Sequence, residues 1–524
     1  MKEHHVRVSH APENLAREEQ LAWKLARVAV DAAPLDPETS EMIINRVLDN
    51  AGVAIAAIAR RPVANARAQA LCNPRAGGAT VFGMPQTHRV SCEWAAYANA
   101  TAVRELDFHD TFLAADMNHP GDMIPAVIAA GQQCGVSGND LTTGIAAAYE
   151  IDVILTKAIC LHEHRIDHLT HLAAGVAGGI GAMLKLPVEV VYQAINQAVH
   201  TNVMTRQSRK GEISTWKATV PGHTGKLAIE AVDRAMRGET SPSPIYEGDD
   251  SIIAWLLDGP KAQYTLFLPE PGEAKRGILE TYTKAHSAEY QAQAIIDLAF
   301  RIRARIGDPS QIKSAVLHTS HHTHRIIGNG SGDPQKYEPT ASRETLDHSL
   351  MYIFAVALED GRWHHIDSYT PQRASRPATV DLWRRVTTVE DEGWTARYHH
   401  PNPALRAFGG RIVVTLRDGG VIEDELGVAD AHTSGAKPFG RNDYINKFRT
   451  LSAGLASQKE IDRFVEAALG LPAMPAGGLA RLNVEVPADR REPAEPLLPG
   501  LFERSASHNP ADRFRGEPEH VQSS

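Results

Sequence analysis

Acids, imidazoles and cations concentrate in a few short segments of the chain, and chemistry would sit there. Arg104 to Asp122, RELDFHDTFLAADMNHPGD, gathers four Asp and two His just ahead of an apolar helical stretch. Carboxylates and imidazoles in company can pass protons near neutral pH, although Asp110 and Asp122 equally suit helix capping. Cys160 to His171, CLHEHRIDHLTH, spaces His164, His168 and His171 by four and then three residues. On a helix they would share a face, as metal ligands do. No further ligand stands at a recognisable spacing, and solvated or packed imidazoles fit the pattern as well. His318 to His324, HTSHHTH, follows a strand, where alternation lets only half of the imidazoles converge.

Arg206 to Lys217, RQSRKGEISTWK, is a basic group in an acidic chain, with Arg206 and Arg209 three residues apart. Arginine grips carboxylates through two parallel hydrogen bonds, which suits a small polyanion; an exposed helix end would use the same residues against its own dipole. Lys284 to Tyr290, KAHSAEY, adds a Lys, a His and a Glu ahead of a helix. Proton-moving His and Asp together with carboxylate-binding Arg and Lys fit proton abstraction beside a carboxylate, without naming a reaction.

The elements that must position these residues are helical in the first half. Ile43, Ile44, Val47, Leu48, Ala51, Ile55 and Ile58 recur at three- and four-residue spacings, the mark of one buried helical face. The same period returns in 123–134, in 141–160 with Asp140 as a possible cap, in 172–184, and in 187–200 behind Pro187. Leu172 to Leu184, LAAGVAGGIGAML, is rich in Ala and Gly, and with no strand before it reads as close helix contact rather than a phosphate loop. Residues 236–251 read as a surface connection. Beyond it SAVLH (314–318) predicts a strand, and RIVVTLRDGGVIEDEL from Arg411 predicts a hairpin turning at Asp418 and Gly419. Helical periods lie near 289–303 and 345–358, and again in 443–470, which we expect to return to the first domain. The expected fold is mainly α: a large all-helical domain plus a smaller α/β domain. The expected division is an N-terminal extension (1–20), the helical domain (21–269), the α/β domain (270–440), returning helices (441–475) and a C-terminal extension (476–524), loose from about 486.

At 524 residues, with 43% hydrophobic and 22% charged residues, the chain has an ordinary globular composition and enough length for two or more domains. Its net charge of −9, with Lys and Arg scattered, offers no footprint for nucleic acid. No apolar run reaches the length of about eighteen residues that a membrane helix needs, and the polar start carries no secretory pattern, so a cytoplasmic protein is expected. The four Cys form no C-x-x-C pair, which argues against a disulfide framework, a thiolate zinc site and a Cys-held iron–sulfur cluster.

Taken in order, LDFHDT (106–111), NHPGD (118–122), IDH (166–168), STWKA (214–218), KAHSAEY (284–290) and RETLDHSLMY (343–352) resemble the MmgE/PrpD family, over roughly residues 20–470. The resemblance implies a helical domain completed by the helices near 443–470, an α/β lid, a homodimer, and a site in the cleft between domains. It implies no cofactor, since the family's methylcitrate dehydratases, cis-aconitate decarboxylases and iminodisuccinate epimerase work on small polycarboxylates without an iron–sulfur cluster. By motif it carries over Asp107, His119, His168 and Lys217 as catalytic residues, with no metal. His119 or His168 would be base or acid, Asp107 would orient one of them, and Lys217 would stabilise developing charge. Arg206, Arg209 and the helix end after His119 would bind carboxylates. Decarboxylase relatives have a His on the lid where Glu289 aligns, with His286 three residues earlier; either could reach the substrate. The departure favours the dehydratase branch, that is, loss of water from 2-methylcitrate to give 2-methyl-cis-aconitate in propionate catabolism. Citrate or cis-aconitate hydration, cis-aconitate decarboxylation, a metal-dependent hydratase and a non-enzymatic polycarboxylate binder are the alternatives.

Overall fold

The computed structural model describes residues 1–400, 402–493 and 499–504. Nine helices build the first half: α1 (Leu21–Val30), α2 (Pro37–Ala56), α3 (Arg61–Leu71), α4 (Cys92–Arg104), α5 (Ile124–Cys134), α6 (Gly138–Ala158), α7 (Leu169–Met183), α8 (Val188–Thr201) and α9 (Trp216–Met236). Local chemistry sets their starts. Asp36 accepts the Thr39 N–H at 2.9 Å, with Pro37 at the first helical position. At α6 the cap is Ser137, whose Oγ accepts from the Asp140 N–H at 3.2 Å, so Asp140 lies in the first turn rather than at the cap. Pro187 likewise caps α8 instead of opening it.

The Ala/Gly-rich α7 lies directly on α6. A Cβ on Gly144 would stand 2.8 Å from the Gly179 carbonyl, and one on Gly179 would stand 2.7 Å from Ala148 Cβ. Only glycine permits that approach. Among the described residues no single helix is long and apolar enough to cross a membrane. The pair α2 and α3, which together approach that composition, meet at 102°, and both contribute to the first core.

That core draws on all nine helices and on segments from far along the chain. Helices Arg441–Ser452 and Gln458–Leu469 deliver Tyr444, Phe448, Leu451 and Phe464, and Gly52 of α2 lets the Phe448 backbone come close. The N-terminal strand Lys2–Arg7 pairs antiparallel with Gln263–Leu268 and buries Val6. Leu479, Leu482, Val484 and Val486 are buried as well. Residues 2–7 and 479–486, which the sequence suggested were parts of extensions, therefore belong to this core; much of the Pro-bearing tail, 494–498 and 505–524, falls outside the described residues. The 236–251 connection is also less superficial than its composition suggested: Tyr246 is buried, and Glu247 accepts the Leu21 N–H at 2.5 Å.

The second core lies between residues 288 and 426. Its four-stranded sheet runs, from edge to edge, Val421–Leu426, Gly410–Leu416, Ile312–Thr319 and Val386–Glu390. The last pair is parallel and the others antiparallel. Helices Gln293–Ile306 and Leu350–Asp360 supply most of its apolar cover. The chain is thus mainly α, with a smaller α/β domain.

Candidate active site

Apart from the His318–His324 run, the segments singled out in the sequence send residues to the seam between the two cores. α4 ends at Arg104, and Asp107 follows with φ 49°, a left-handed turn that Asp tolerates better than most residues. Its buried carboxylate receives three cations: Arg104 Nη1 at 3.0 Å, Lys217 Nζ at 3.0 Å and Lys284 Nζ in close contact. Burial opposes its ionisation, yet those cations hold the carboxyl well below the usual range.

Lys217 enters from the first turn of α9 and Asp347 from the α/β domain. Lys217 Nζ bonds both Asp347 oxygens, at 2.9 and 3.0 Å, and stands 3.4 Å from His348 Nδ1. Arg343 Nη1 reaches Asp347 at 3.2 Å, while its Nη2 bonds the Leu106 carbonyl at 3.2 Å and Ser287 Oγ at 2.8 Å. Lys217 thus crosses the seam to a carboxylate of the α/β domain, and Arg343 crosses back to a carbonyl of the helical one. Among the described residues the one group whose ligand atoms converge as for a metal ion is Asp107, Asp347 and His348. The Lys217 ammonium already stands among those three and takes the cation's place.

His119 lies on a loop held from beneath. Asp110 accepts the Gly121 N–H at 2.7 Å and the Tyr149 hydroxyl at 2.8 Å, and Asn118 Oδ1 accepts the His119 N–H at 2.7 Å. A Cβ on Gly121 would come within 2.5 Å of Asp110 Oδ1, so this turn needs glycine. These bonds also occupy the backbone donors: Asp110 holds that of Gly121, and the His119 carbonyl accepts that of Asp122 at 3.0 Å. The helix end proposed from sequence as a carboxylate site is consequently filled by the protein's own oxygens. The His119 ring lies 5.5 Å from that of His168 and 5.4 Å from that of His109, which faces Asp122 at 2.9 Å.

Both candidate imidazoles are buried and present a bare Nε2. His119 Nδ1 is 3.1 Å from the Asp110 carbonyl, and His168 Nδ1 is 2.9 Å from Asp167 Oδ1. Carbonyl and carboxylate oxygens only accept, so each Nδ1 carries the proton. Burial, with Arg104 and Lys284 nearby, pushes the His119 pKa well below its ordinary value. Burial lowers that of His168 too, against the pull of Asp167. His168 Nε2 is buried without a partner among the described residues. Asp107 was expected to orient an imidazole; the structure commits it to cations and sets Asp167 beside His168 instead.

The two arginines part company. Arg209 Nε bonds Asp167 at 3.2 Å, and its two terminal nitrogens are buried with no partner among the described residues. Arg206 helps line a neighbouring cavity of about 340 Å³, together with Asp116, His162, His322 and Arg325. The lid residues separate as well. His286 turns to Asp297 at 2.9 Å, whereas Glu289 is buried, close enough to Lys284 and Asp107 to feel their charge, and burial raises its pKa. His164, His168 and His171 share no helical face, because His164 sits in a short 3-10 turn that ends at left-handed Arg165, before α7 begins. Of the His318–His324 run, His322 pairs with His399 at 2.6 Å and His324 with Thr388 at 2.7 Å.

Arg104, Asp167, Lys284, Arg343, Asp347 and His348 belong to the cluster without having stood out in the sequence as site residues. All lie in or beside quoted motifs as bystanders, Asp167 as the middle residue of IDH; adjacency to a motif residue was the available signal.

Residues 19–265 match the MmgE/PrpD N-terminal domain and residues 286–471 the MmgE/PrpD C-terminal domain, well over half of the chain. The chain belongs to the MmgE/PrpD family. This MmgE/PrpD protein is 26% identical over 345 residues to a protein named 2-methylcitrate dehydratase, mitochondrial, from Yarrowia lipolytica, covering 63% of this chain and 64% of that one. It thus spans just under two thirds of that relative. Proteins named 2-methylcitrate dehydratase from Cupriavidus necator (25% identity; 73% of this chain, 80% of that one) and Salmonella typhimurium (23%; 72% and 78%) are also similar.

Proposed function

We propose that this chain is a hydro-lyase that removes water from a small tricarboxylate, 2-methylcitrate, to give 2-methyl-cis-aconitate. One observation carries the reading. Beside the buried His168, both terminal nitrogens of Arg209 are buried with no partner among the described residues, and Asp167 holds that guanidinium only through Nε and leaves the other two nitrogens for a ligand. Buried guanidinium donors without acceptors are costly unless a ligand supplies them. A tricarboxylate does so, and the names of the relatives point the same way.

Arg209, with two unpartnered terminal nitrogens, grips one substrate carboxylate through paired hydrogen bonds. His168 Nε2 takes the proton from the methyl-bearing carbon, whose electron pair first spreads into the adjacent carboxylate. Lys217 and Lys284 stabilise that dianion in a water-poor setting, where fixed charges act most strongly. The electrons then form the double bond as the carbon–oxygen bond breaks. A bare Nε2 suits acceptance of a proton rather than donation, so the leaving hydroxyl takes its proton from Lys284. Burial lowers the pKa of that ammonium, and its bonds to Asp107 leave one N–H over. Water leaves, and solvent returns the proton from His168 to Lys284.

The test is purified, chelator-treated protein mixed with racemic 2-methylcitrate, following the absorbance of the new conjugated double bond, with citrate in parallel. A rise faster with methylcitrate than with citrate is expected, and His168→Gln should lower it by about 10²-fold or more. Since one methyl is worth only about 1–3 kcal/mol, a slower citrate reaction is consistent. No rise with either, or CO₂ release from cis-aconitate, would refute the assignment. Activity lost on chelation and restored by metal would favour a metal-dependent hydratase.

A further inference from the structure

Asp167 precedes His168, and both of its oxygens are engaged. Oδ1 accepts the His168 backbone N–H at 2.9 Å and lies 2.9 Å from His168 Nδ1. Oδ2 accepts from Ser208 Oγ at 2.7 Å and from Arg209 Nε at 3.2 Å. The backbone fixes the two segments against each other: the Asp167 N–H bonds the Met204 carbonyl at 2.9 Å, and the Arg206 N–H bonds the Arg165 carbonyl at 2.8 Å. What this leaves over is chemically specific. Among the described residues, His168 Nε2 and both terminal nitrogens of Arg209 are buried and have no partner.

We propose that Asp167 is a positioning residue that joins the base to the carboxylate clamp. It holds His168 in the tautomer with a bare Nε2, and it holds Arg209 by Nε so that the other two nitrogens remain for a substrate carboxylate. The proposal rests on His168 being the base. Its physical root is that an ionised carboxylate has no proton to give: whatever faces it must bring one, which fixes Nδ1–H on the ring and leaves the lone pair at Nε2. The same carboxylate balances one arginine charge, so the guanidinium can stay buried before substrate arrives. Burial opposes the ionised form, but Arg209 and His168 keep the Asp167 carboxyl well below its usual range. A plain staple between the 165–168 and 204–209 segments would need none of this tautomer control, and that difference makes the proposal testable.

The first arm uses ligand-free wild-type protein and needs no turnover. The ¹⁵N shifts of the His168 ring, assigned by their loss in His168→Gln, should report Nδ1–H and an unprotonated Nε2; an Nε2–H ring would overturn the proposal. In the second arm Asp167→Asn, which can offer an amide N–H to the ring, should lower kcat by the order of 10²- to 10⁴-fold, as loss of the correct tautomer does elsewhere. It should also raise KM for 2-methylcitrate, and it should move the acidic limb of the kcat profile to lower pH, because removing the negative charge makes the imidazole less basic. Near-wild-type kcat with an unmoved limb would overturn it. If Asp167→Asn fails to fold, the wild-type ring shifts decide. If wild-type protein dehydrates no tricarboxylate, the functional assignment falls, while the ring shifts still decide the role of Asp167.

Discussion

Replacing Lys217 by Met is the sharpest probe of the shared ion cluster. Its ammonium stands 3.0 Å from Asp107 and 2.9 Å from Asp347, with all three side chains buried. At an effective dielectric near 20, a unit pair at that distance attracts by about 5 kcal/mol. Desolvation cancels much of this when the pair forms. Removal of the cation leaves two carboxylates behind, a situation that typically costs about 3–5 kcal/mol. Asp107 retains Arg104 and Lys284, and Asp347 retains Arg343, so the lower end, about 3 kcal/mol, is expected. Against a total stability of about 5–15 kcal/mol this is easily measured by urea unfolding followed by circular dichroism. The cycle with Asp347→Asn isolates the pair: adding that change to Lys217→Met should cost at least about 1 kcal/mol less than making it alone. Dehydration should stay low in both Lys217 variants. A Lys217→Met protein within 1 kcal/mol of wild type, or a cycle that closes to zero, would refute the reasoning.

Burial pushes the Glu105 carboxyl up to about 7 in spite of Arg60. Its folded pKa exceeds its unfolded one, so its contribution is full below about pH 4.5 and is lost as pH rises through 7, up to about 3 kcal/mol in all. Glu105→Gln should therefore gain on wild type between pH 5 and pH 8 in urea midpoints; an equal offset at both would contradict this. Gly179→Ala should cost about 1–3 kcal/mol, because its Cβ would meet Ala148 Cβ and the Gly144 carbonyl at 2.7 Å each, and an unchanged Tm would show that α6 and α7 are not so close. His286→Ala should leave kcat nearly unchanged, since that ring is spent on Asp297; a large loss of turnover would return it to the site.

Much of the scaffold is local and was therefore legible. The apolar period of residues 43–58 foretells α2, and the Ala/Gly run foretells the tight α6–α7 contact. The Asp418–Gly419 turn foretells the hairpin, with Gly419 at φ 90°. Periodic burial and turn conformation act over a few residues, which is the range that a sequence displays directly.

The site was legible only in its parts. The motif residues Asp107, His119, His168 and Lys217 do gather, yet their partners come from far along the chain: Lys284 lies 177 residues from Asp107, and Asp347 lies 130 from Lys217. Nothing in a linear pattern says which carboxylate a buried cation will meet, because that depends on how two independently packed cores dock. Docking also decided between near-equals. Arg209 faces Asp167 while Arg206 faces another cavity, and Glu289 turns inward while His286 turns to its own domain. Residue types along the chain determined that acid–base groups and anion-binding cations were present, and hydrophobic periods determined the helices that carry them. Only the tertiary structure decided their pairing, since the energy of a charge out of water is set by whichever groups surround it in space.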